Sequence, residues 1–383
     1  MTDSLRRRTA LQAGGGAALL SWLPSLRAQS QSAAERPGWP AWEAFKAQFI
    51  NEGGRVISDD AGGGQTYSEG QAYALFFALV ANDRAAFDKL LRWTENNLCD
   101  GDMTARLPAW LWGKRPDGSW GVIDSNAASD ADLWIAYALG EAGRLWNVRS
   151  YRALSALLAT RILREETAQL PGLGLTLLPA PQGFAQGVGR WRLNPSYLPP
   201  QLLARFARIS PIWAELASNQ QRMLIETSPK GFAPDWLQWK AGGGWAPDSK
   251  EGSLGDYDAI RVYLWVGMLA QDAANRQTLQ QHFAPMASLT QTLGYVPESV
   301  NAVTGKYTGT GPVGFSAAML PLLSSLDSPA LAVQQERIKQ QPPAADAYYN
   351  QSLLLFGQGW DEQRYRFDKD GQLLPSWIKT CQK

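Results

Sequence analysis

The chain of 383 residues contains a single histidine, His282, and two cysteines, Cys99 and Cys381. Every Ser-His-Asp or Cys-His nucleophile, and every histidine-based zinc site, would have to pass through that one imidazole, which argues against all of them. An excess of one charge is also missing. Against 35 Asp+Glu stand 36 Lys+Arg, a formal net charge of +1, so the basic surplus of a nucleic-acid binder is absent and no nucleic-acid partner is expected. No repeat of fixed period is visible, and no Walker sequence follows the glycines at 62–64, so phosphate cradling is not indicated. Two cysteines cannot staple a chain this long. Two unpaired thiols are the simpler state, and a Cys99–Cys381 bond is the alternative in an oxidising compartment. What remains as chemical vocabulary is carboxylates, hydroxyls and a heavy aromatic load of 17 Trp, 12 Tyr and 12 Phe.

Long apolar runs are lacking as well. The basic head RRR at 6–8 precedes AGGGAALLSWLPSL, too short to cross a bilayer as a helix, and LRA at 26–28 ends it like a cleavage site. Residues 1–28 therefore read as an export signal. RRRTALQ is twin-arginine-like, with the Sec route as the alternative. Cleavage would remove four Arg and one Asp, taking the formal charge from +1 to −2. The expected product is soluble, periplasmic or secreted, with no stable membrane insertion after processing. A polar linker at 29–38 leads into one domain over 39–383.

In that domain apolar residues recur at three and four positions in window after window, and strand-like alternation is rare. The spacing predicts twelve helices, near 40–52, 69–81, 83–97, 130–144, 147–166, 198–208, 210–226, 257–270, 275–293, 313–326, 328–340 and 346–357. Helix pairs with short connections alternate with long Gly-, Pro- and Trp-rich segments at 98–129, 170–196, 227–256 and 294–312. The fold class expected is all-α, an (α/α)6 toroid of six helical hairpins with long aromatic-rich loops. A superhelical solenoid competes. Loops of that length in a compact chain carry function.

Three acidic clusters stand at starts of even-numbered helices: SEG at 68–70, SDAD at 129–132 and DYD at 256–258. A toroid of alternating outer and inner helices would bring them to one face of the inner ring. Ser68 and Ser129 are expected to cap exposed amides. Glu69 and Asp258 are poor mere caps, because each precedes an apolar run whose helix must be buried, where an unused carboxylate is costly.

Two carboxylates without histidine suffice to cleave a glycosidic bond. Indoles stack on apolar faces of pyranose rings, and several loops carry Trp. Trp110, Trp112, Trp120 and Tyr197, with Tyr67 and Arg261, are the candidate substrate-binding residues. Burial near Tyr67 or Tyr73, with the field of Asp130, should keep Glu69 protonated. Arg261, one turn beyond Asp258, should favour that residue's charge.

ASDADLWIAYALGEAGRLW at 128–146 resembles the signature of family 8 glycoside hydrolases throughout. TYSEGQAYALFFALVAND at 66–83 is similar to the segment holding the family's general acid, and YDAIRVYLW at 257–265 to the one holding its general base. NPSYLPP, YYNQSLLLFGQGW and RYRFDKDGQLLPSW extend the likeness over nearly all of the mature chain. The variant it resembles most is the exported endoglucanase that accompanies bacterial cellulose synthases. The resemblance implies Glu69 as general acid, Asp258 as the base that activates water, and Asp130 as a carboxylate holding the sugar at the cleavage point. It also implies an (α/α)6 toroid, inversion at the anomeric carbon, no metal, no cofactor, a β-1,4-glucan oligosaccharide or polysaccharide as substrate, and the cellulose synthase machinery as partner. A xylanase or chitosanase on the same fold, a polysaccharide lyase, and a noncatalytic glucan-binding protein of polysaccharide export are the alternatives. GDYDA departs from the family pattern, which has a small polar residue before the tyrosine, so Asp256 competes with Asp258 for the base.

Overall fold

The computed structural model describes residues 38–58 and 63–378. The expected export signal, all of the linker but Gly38, and Cys381 lie outside the described residues. Twelve α-helices are present among those described: α1 Pro40–Phe49, α2 Ser68–Val80, α3 Arg84–Leu98, α4 Ser129–Leu145, α5 Arg149–Glu165, α6 Pro200–Ala207, α7 Pro211–Glu226, α8 Ile260–Gly267, α9 Arg276–Leu293, α10 Val313–Ser325, α11 Ala330–Gln340 and α12 Tyr348–Asp361. None is long and apolar enough to cross a membrane.

Composition sorts these helices into two layers. Every residue of α2 except Glu69 is buried, and so is every residue of α8. A helix apolar on all sides must be surrounded. α3 instead buries one stripe, Ala86, Phe87, Leu90, Thr94 and Leu98, at the three- and four-residue spacing of an outer helix. The even-numbered helices touch in the order α2, α4, α6, α8, α10, α12. Phe356 of α12 closes that ring onto α2, with its centroid 4.9, 5.5 and 4.7 Å from those of Tyr73, Phe76 and Phe77. It also lies 5.4 Å from Trp134 of α4 and 5.2 Å from Trp265 of α8, so aromatic rings fill the middle of the barrel. Each inner helix pairs with an outer one, and the sixth pair joins α12 to α1 from the other end of the chain. The architecture is an (α/α)6 barrel.

The long segments between hairpins fold into short ribbons rather than open loops. β1 (Thr66–Tyr67), β2 (Leu111–Lys114) and β3 (Trp120–Asp124) form one sheet, and β4 (Thr167–Leu170) pairs with β5 (Gly174–Leu177). β6 (Arg190–Leu193), β7 (Leu237–Lys240) and β8 (Gly244–Pro247) form another. β9 (Leu254–Gly255), β10 (Ser299–Asn301) and β11 (Tyr307–Thr308) make a third triplet, and β12 (Tyr365–Phe367) pairs with β13 (Leu373–Pro375). Buried Glu141 of α4 anchors that last hairpin, accepting from Arg205 Nε at 2.7 Å and from Leu373 N–H at 2.9 Å.

The expected serine caps do not form. α2 and α4 begin one residue earlier than the spacing suggested, which makes Ser68 and Ser129 the first helical residues and puts Tyr67 and Ala128 at the cap positions, where neither side chain caps the helix. Loop carbonyls serve the helix starts instead, as Ser68 N–H donates to Trp110 O at 2.9 Å and Ser129 N–H to Pro179 O at 3.0 Å. This ties the ribbons to the inner helices.

Phe356 is fully buried among five rings drawn from three other inner helices. Phe356→Ala should therefore lower unfolding free energy by about 3 to 5 kcal/mol in urea titration. A loss under about 1 kcal/mol would show that the ring is closed by other contacts.

Candidate active site

Glu69 is the second residue of α2, Asp130 the second of α4, and Asp258 stands two residues ahead of α8. Helix starts favour negative charge, but three carboxyls converging there repel one another. One guanidinium answers that repulsion. Arg261, in the first turn of α8, is almost wholly buried; its Nη1 meets Glu69 Oε2 at 2.7 Å and lies 3.9 Å from Asp130 Oδ2, while Nη2 meets Asp258 Oδ1 at 2.6 Å. Nη2 also donates to Ser196 Oγ at 3.0 Å, and the guanidinium lies 5.7 Å from the Tyr197 ring. Arg261, one turn beyond Asp258, thus pairs with both Asp258 and Glu69.

Asp258 is held from a second side. Asn194 donates its amide Nδ2 to Asp258 Oδ2 at 2.9 Å. Ser196 donates its backbone N–H and hydroxyl to Asn194 Oδ1, at 3.0 and 2.7 Å, which fixes which end of the amide faces the carboxylate. Asn194 and Ser196 belong to NPSYLPP, whose sequence resemblance marked the segment but gave neither residue a role. An Asn one residue before a proline, ahead of a short 3-10 turn at Pro195–Tyr197, was the available signal.

Three carboxyls share one guanidinium, so the cluster binds a proton readily. Burial raises Glu69 above the ordinary carboxyl range; Arg261 opposes that rise and Asp258 adds to it. Burial, then the charge of Glu69, pushes Asp130 up to about 7. Glu69 thus feels the charge of Asp258, and Asp130 that of Glu69. Tyr73 lies buried within the field of Glu69. Glu69 and Asp258 keep 21% and 26% of their side chains exposed against 6% for Asp130, so the first two face the cleft and the third sits deeper.

The cleft beside them has a volume of about 540 Å³ and is bordered by Tyr67, Tyr257, Tyr348 and Tyr349. The last three escaped the sequence reading, though YYN at the start of an inner helix was a usable sign. A second cavity of about 410 Å³, lined by Trp110, Phe184, Tyr197 and Trp236, adjoins it, since Tyr67 and Trp110 lie 5.6 Å apart. Arg192 stacks over Trp236 at 3.7 Å, held by Asp248 at 2.8 Å.

Not all of the expected sugar platforms reach these cavities. Trp112 and Trp120 stack on each other at 5.3 Å with the Arg55 guanidinium 4.4 and 4.9 Å from their rings, and neither lines the two cavities. The β2–β3 pairing shifts register between Leu111 and Trp112, leaving Ile123 of β3 as the extra residue. Asp256 also lies outside the cleft lining. His282 is half-buried on α9, away from the cleft lining.

The family described as Glycosyl hydrolases family 8 matches residues 18–363 of the chain. The protein belongs to glycosyl hydrolase family 8. Its relatives in that family include an endoglucanase of Escherichia coli (strain K12), 51% identical over 343 residues that cover 90% of this chain and 92% of the relative. An endoglucanase of Xanthomonas axonopodis pv. citri (strain 306) is 47% identical over 381 residues, covering 97% and 98%. The crystal structure of an endo-1,4-D-glucanase from Vibrio fischeri ES114 superposes with a TM-score of 0.85 at 49% identity, over 88% of this chain and 99% of that one. This family 8 member is therefore a glycoside hydrolase.

A second buried acid pair lies in the same helix pair. The carboxyls of Asp132 on α4 and Glu166 at the end of α5 meet each other and find no further hydrogen-bond partner. Burial raises both well above the ordinary range, and two touching carboxyls cannot both ionise. Because the folded values are raised, this stability is complete below the unfolded values near 4 and is lost as pH climbs through the folded ones. Melting temperature should fall more steeply between about pH 5 and pH 8 in the parent protein than in Glu166→Gln. Parallel calorimetric profiles would place that proton elsewhere.

Proposed function

We propose that the protein is an inverting endo-β-1,4-glucanase that hydrolyses cellulose or a related β-glucan. The observation that carries this reading is the Arg261 bridge, which sets Glu69 and Asp258 side by side at the edge of a cleft flanked by aromatic rings. Relatives named endoglucanase at about half identity over nine-tenths of the chain support the same substrate class.

Glu69, whose hold on a proton burial strengthens, gives that proton to the glycosidic oxygen as the bond breaks. Asp258, gripped by Arg261 and Asn194, takes a proton from water as that water attacks the anomeric carbon from the opposite face. Inversion requires room for water between the two groups, a carboxyl separation of about 6.5 to 9.5 Å. Both carboxyls grip the planar fork of one guanidinium, which caps the distance between the gripping oxygens at roughly 7 to 8 Å and leaves the lower part of that range open. Asp130, deeper in the wall, holds the sugar at the scissile point. Trp110, Tyr67 and Tyr197 present ring faces and edges to neighbouring sugars, and Trp112 with Trp120 extends the aromatic surface beyond them. Arg261 binds from below through its hold on the acids.

The working form is residues 29–383, released from the export signal into the periplasm or the medium, where the partner is a β-1,4-glucan chain made by cellulose synthase machinery. Its physiological place is cellulose biosynthesis.

Glu69→Gln and Asp258→Asn should each cut hydrolysis of carboxymethylcellulose at least about a thousandfold while leaving cello-oligosaccharide binding nearly intact. Near-native reducing-end release by either variant would overturn its assigned role. Asp130→Ala should weaken both binding at the scissile site and turnover while remaining folded; insoluble protein would mark a purely structural carboxylate. Proton NMR of the first product should show the α-anomer, and a β-anomer would mean retention. A panel of cellulose, xylan and chitosan decides the glycan.

A further inference from the structure

The turn that carries Asp258 lies outside regular helix, because α8 begins only at Ile260, and Tyr257 beside it is exposed. Its support comes from another part of the chain. Asp235, just ahead of β7, is buried, and its Oδ1 accepts the backbone N–H of Asp256 at 2.8 Å and that of Ala259 at 2.6 Å. These two amides flank the Tyr257–Asp258 pair. The N–H of Asp235 donates to Leu254 O at 2.8 Å. Gly255 packs so closely on the same segment that a Cβ there would fall 1.9 Å from Ala233 O. The segment at 233–235 and the turn are thus joined backbone to backbone.

The side chain of Asp256 accepts the N–H of Tyr257 and lies near the carboxyl of Asp235. The titratable groups that face Asp235 are Asp256 and Asp258 from the turn, Tyr263 from α8 and Tyr349 from α12. Burial, and then the neighbouring Asp256 carboxyl, push Asp235 up to about 9.

We propose that Asp235 is a positioning residue for the hydrolysis: its carboxyl, accepting the N–H groups of Asp256 and Ala259, clamps the turn at 256–259 and thereby sets where Asp258 points. The inference rests on the reading of Asp258 as the base. Asp235 touches no substrate. It acts through the backbone, as a hinge pin acts on a door. A reacting oxygen displaced by about 1 Å loses up to about a hundredfold in rate, so a loosened turn has a large kinetic effect without an equal effect on binding.

Two substitutions separate a clamp from a charge. Asp235→Asn keeps the acceptor oxygen for both amides and offers Asp256 an N–H, but carries no titrating proton. Asp235→Glu keeps the acid but lengthens the side chain. On cello-oligosaccharides at neutral pH, with folding verified by thermal melting, Asp235→Glu should lose about tenfold to hundredfold in kcat with KM changed by less than about twofold. Asp235→Asn should retain at least about a third of kcat. Melting temperature read against pH supplies a second measure that survives a poorly folded Glu variant. Since the folded Asp235 value is raised, stability tied to it is lost as pH rises toward about 9, and Asp235→Asn should lack that part of the decline. Parent-like kcat in both variants, activity kept by Glu and lost by Asn, or an unchanged pH decline in the Asn variant would each overturn the proposal. Asp258→Asn, assayed alongside, distinguishes the two levels. If it hydrolyses normally, the base assignment fails; if it is inactive while both Asp235 variants match the parent, only the clamp fails.

Discussion

A single buried guanidinium holds the site together. Arg261 is bonded to Glu69 and Asp258 and lies near Asp130, three acids brought from three inner helices and separated by up to 189 residues in the chain. Burying that many charges is unfavourable unless the geometry is good and the remaining donors and acceptors are matched. Ser196, Asn194 and the Tyr197 ring provide much of that matching, and burial with the mutual repulsion of the acids raises the proton affinity of Glu69 and Asp130. The same repulsion that strains the fold is what an acid catalyst requires.

The barrel supplies the rigidity this arrangement depends on. Helices that are apolar on every side can only sit inside a ring of others, and the aromatic plug around Phe356 locks four of them in register. Glu69 is the one residue of α2 left unburied, so the helix that carries it is fixed by everything except the acid itself. The ribbons between hairpins then border the cleft, tied to helix starts through backbone bonds such as Ser68 N–H to Trp110 O.

Much of the frame was legible from spacing. Twelve helices fall within four residues of their expected ends because the three- and four-residue apolar period survives along the chain. Glu69, Asp130 and Asp258 were legible because carboxylates beside apolar runs are conspicuous. Ser68 and Ser129 were misread because a one-residue shift of the helix start turns a cap into an ordinary first residue. Trp112 stacks on Trp120 beside Arg55, outside the two cavities, and nothing in the local residues marks that placement.

The sequence by itself determined the chemistry available and the layering of the helices, since residue types set which groups can donate protons and apolar periodicity sets which faces must be covered. Only the tertiary structure decided who serves whom: that Arg261 binds Glu69 as well as Asp258, that Asn194 turns its amide to Asp258, and that Asp235 holds the turn through two amides. Those partnerships join segments far apart in the chain, and their strength depends on distances and burial that no local pattern of residues encodes.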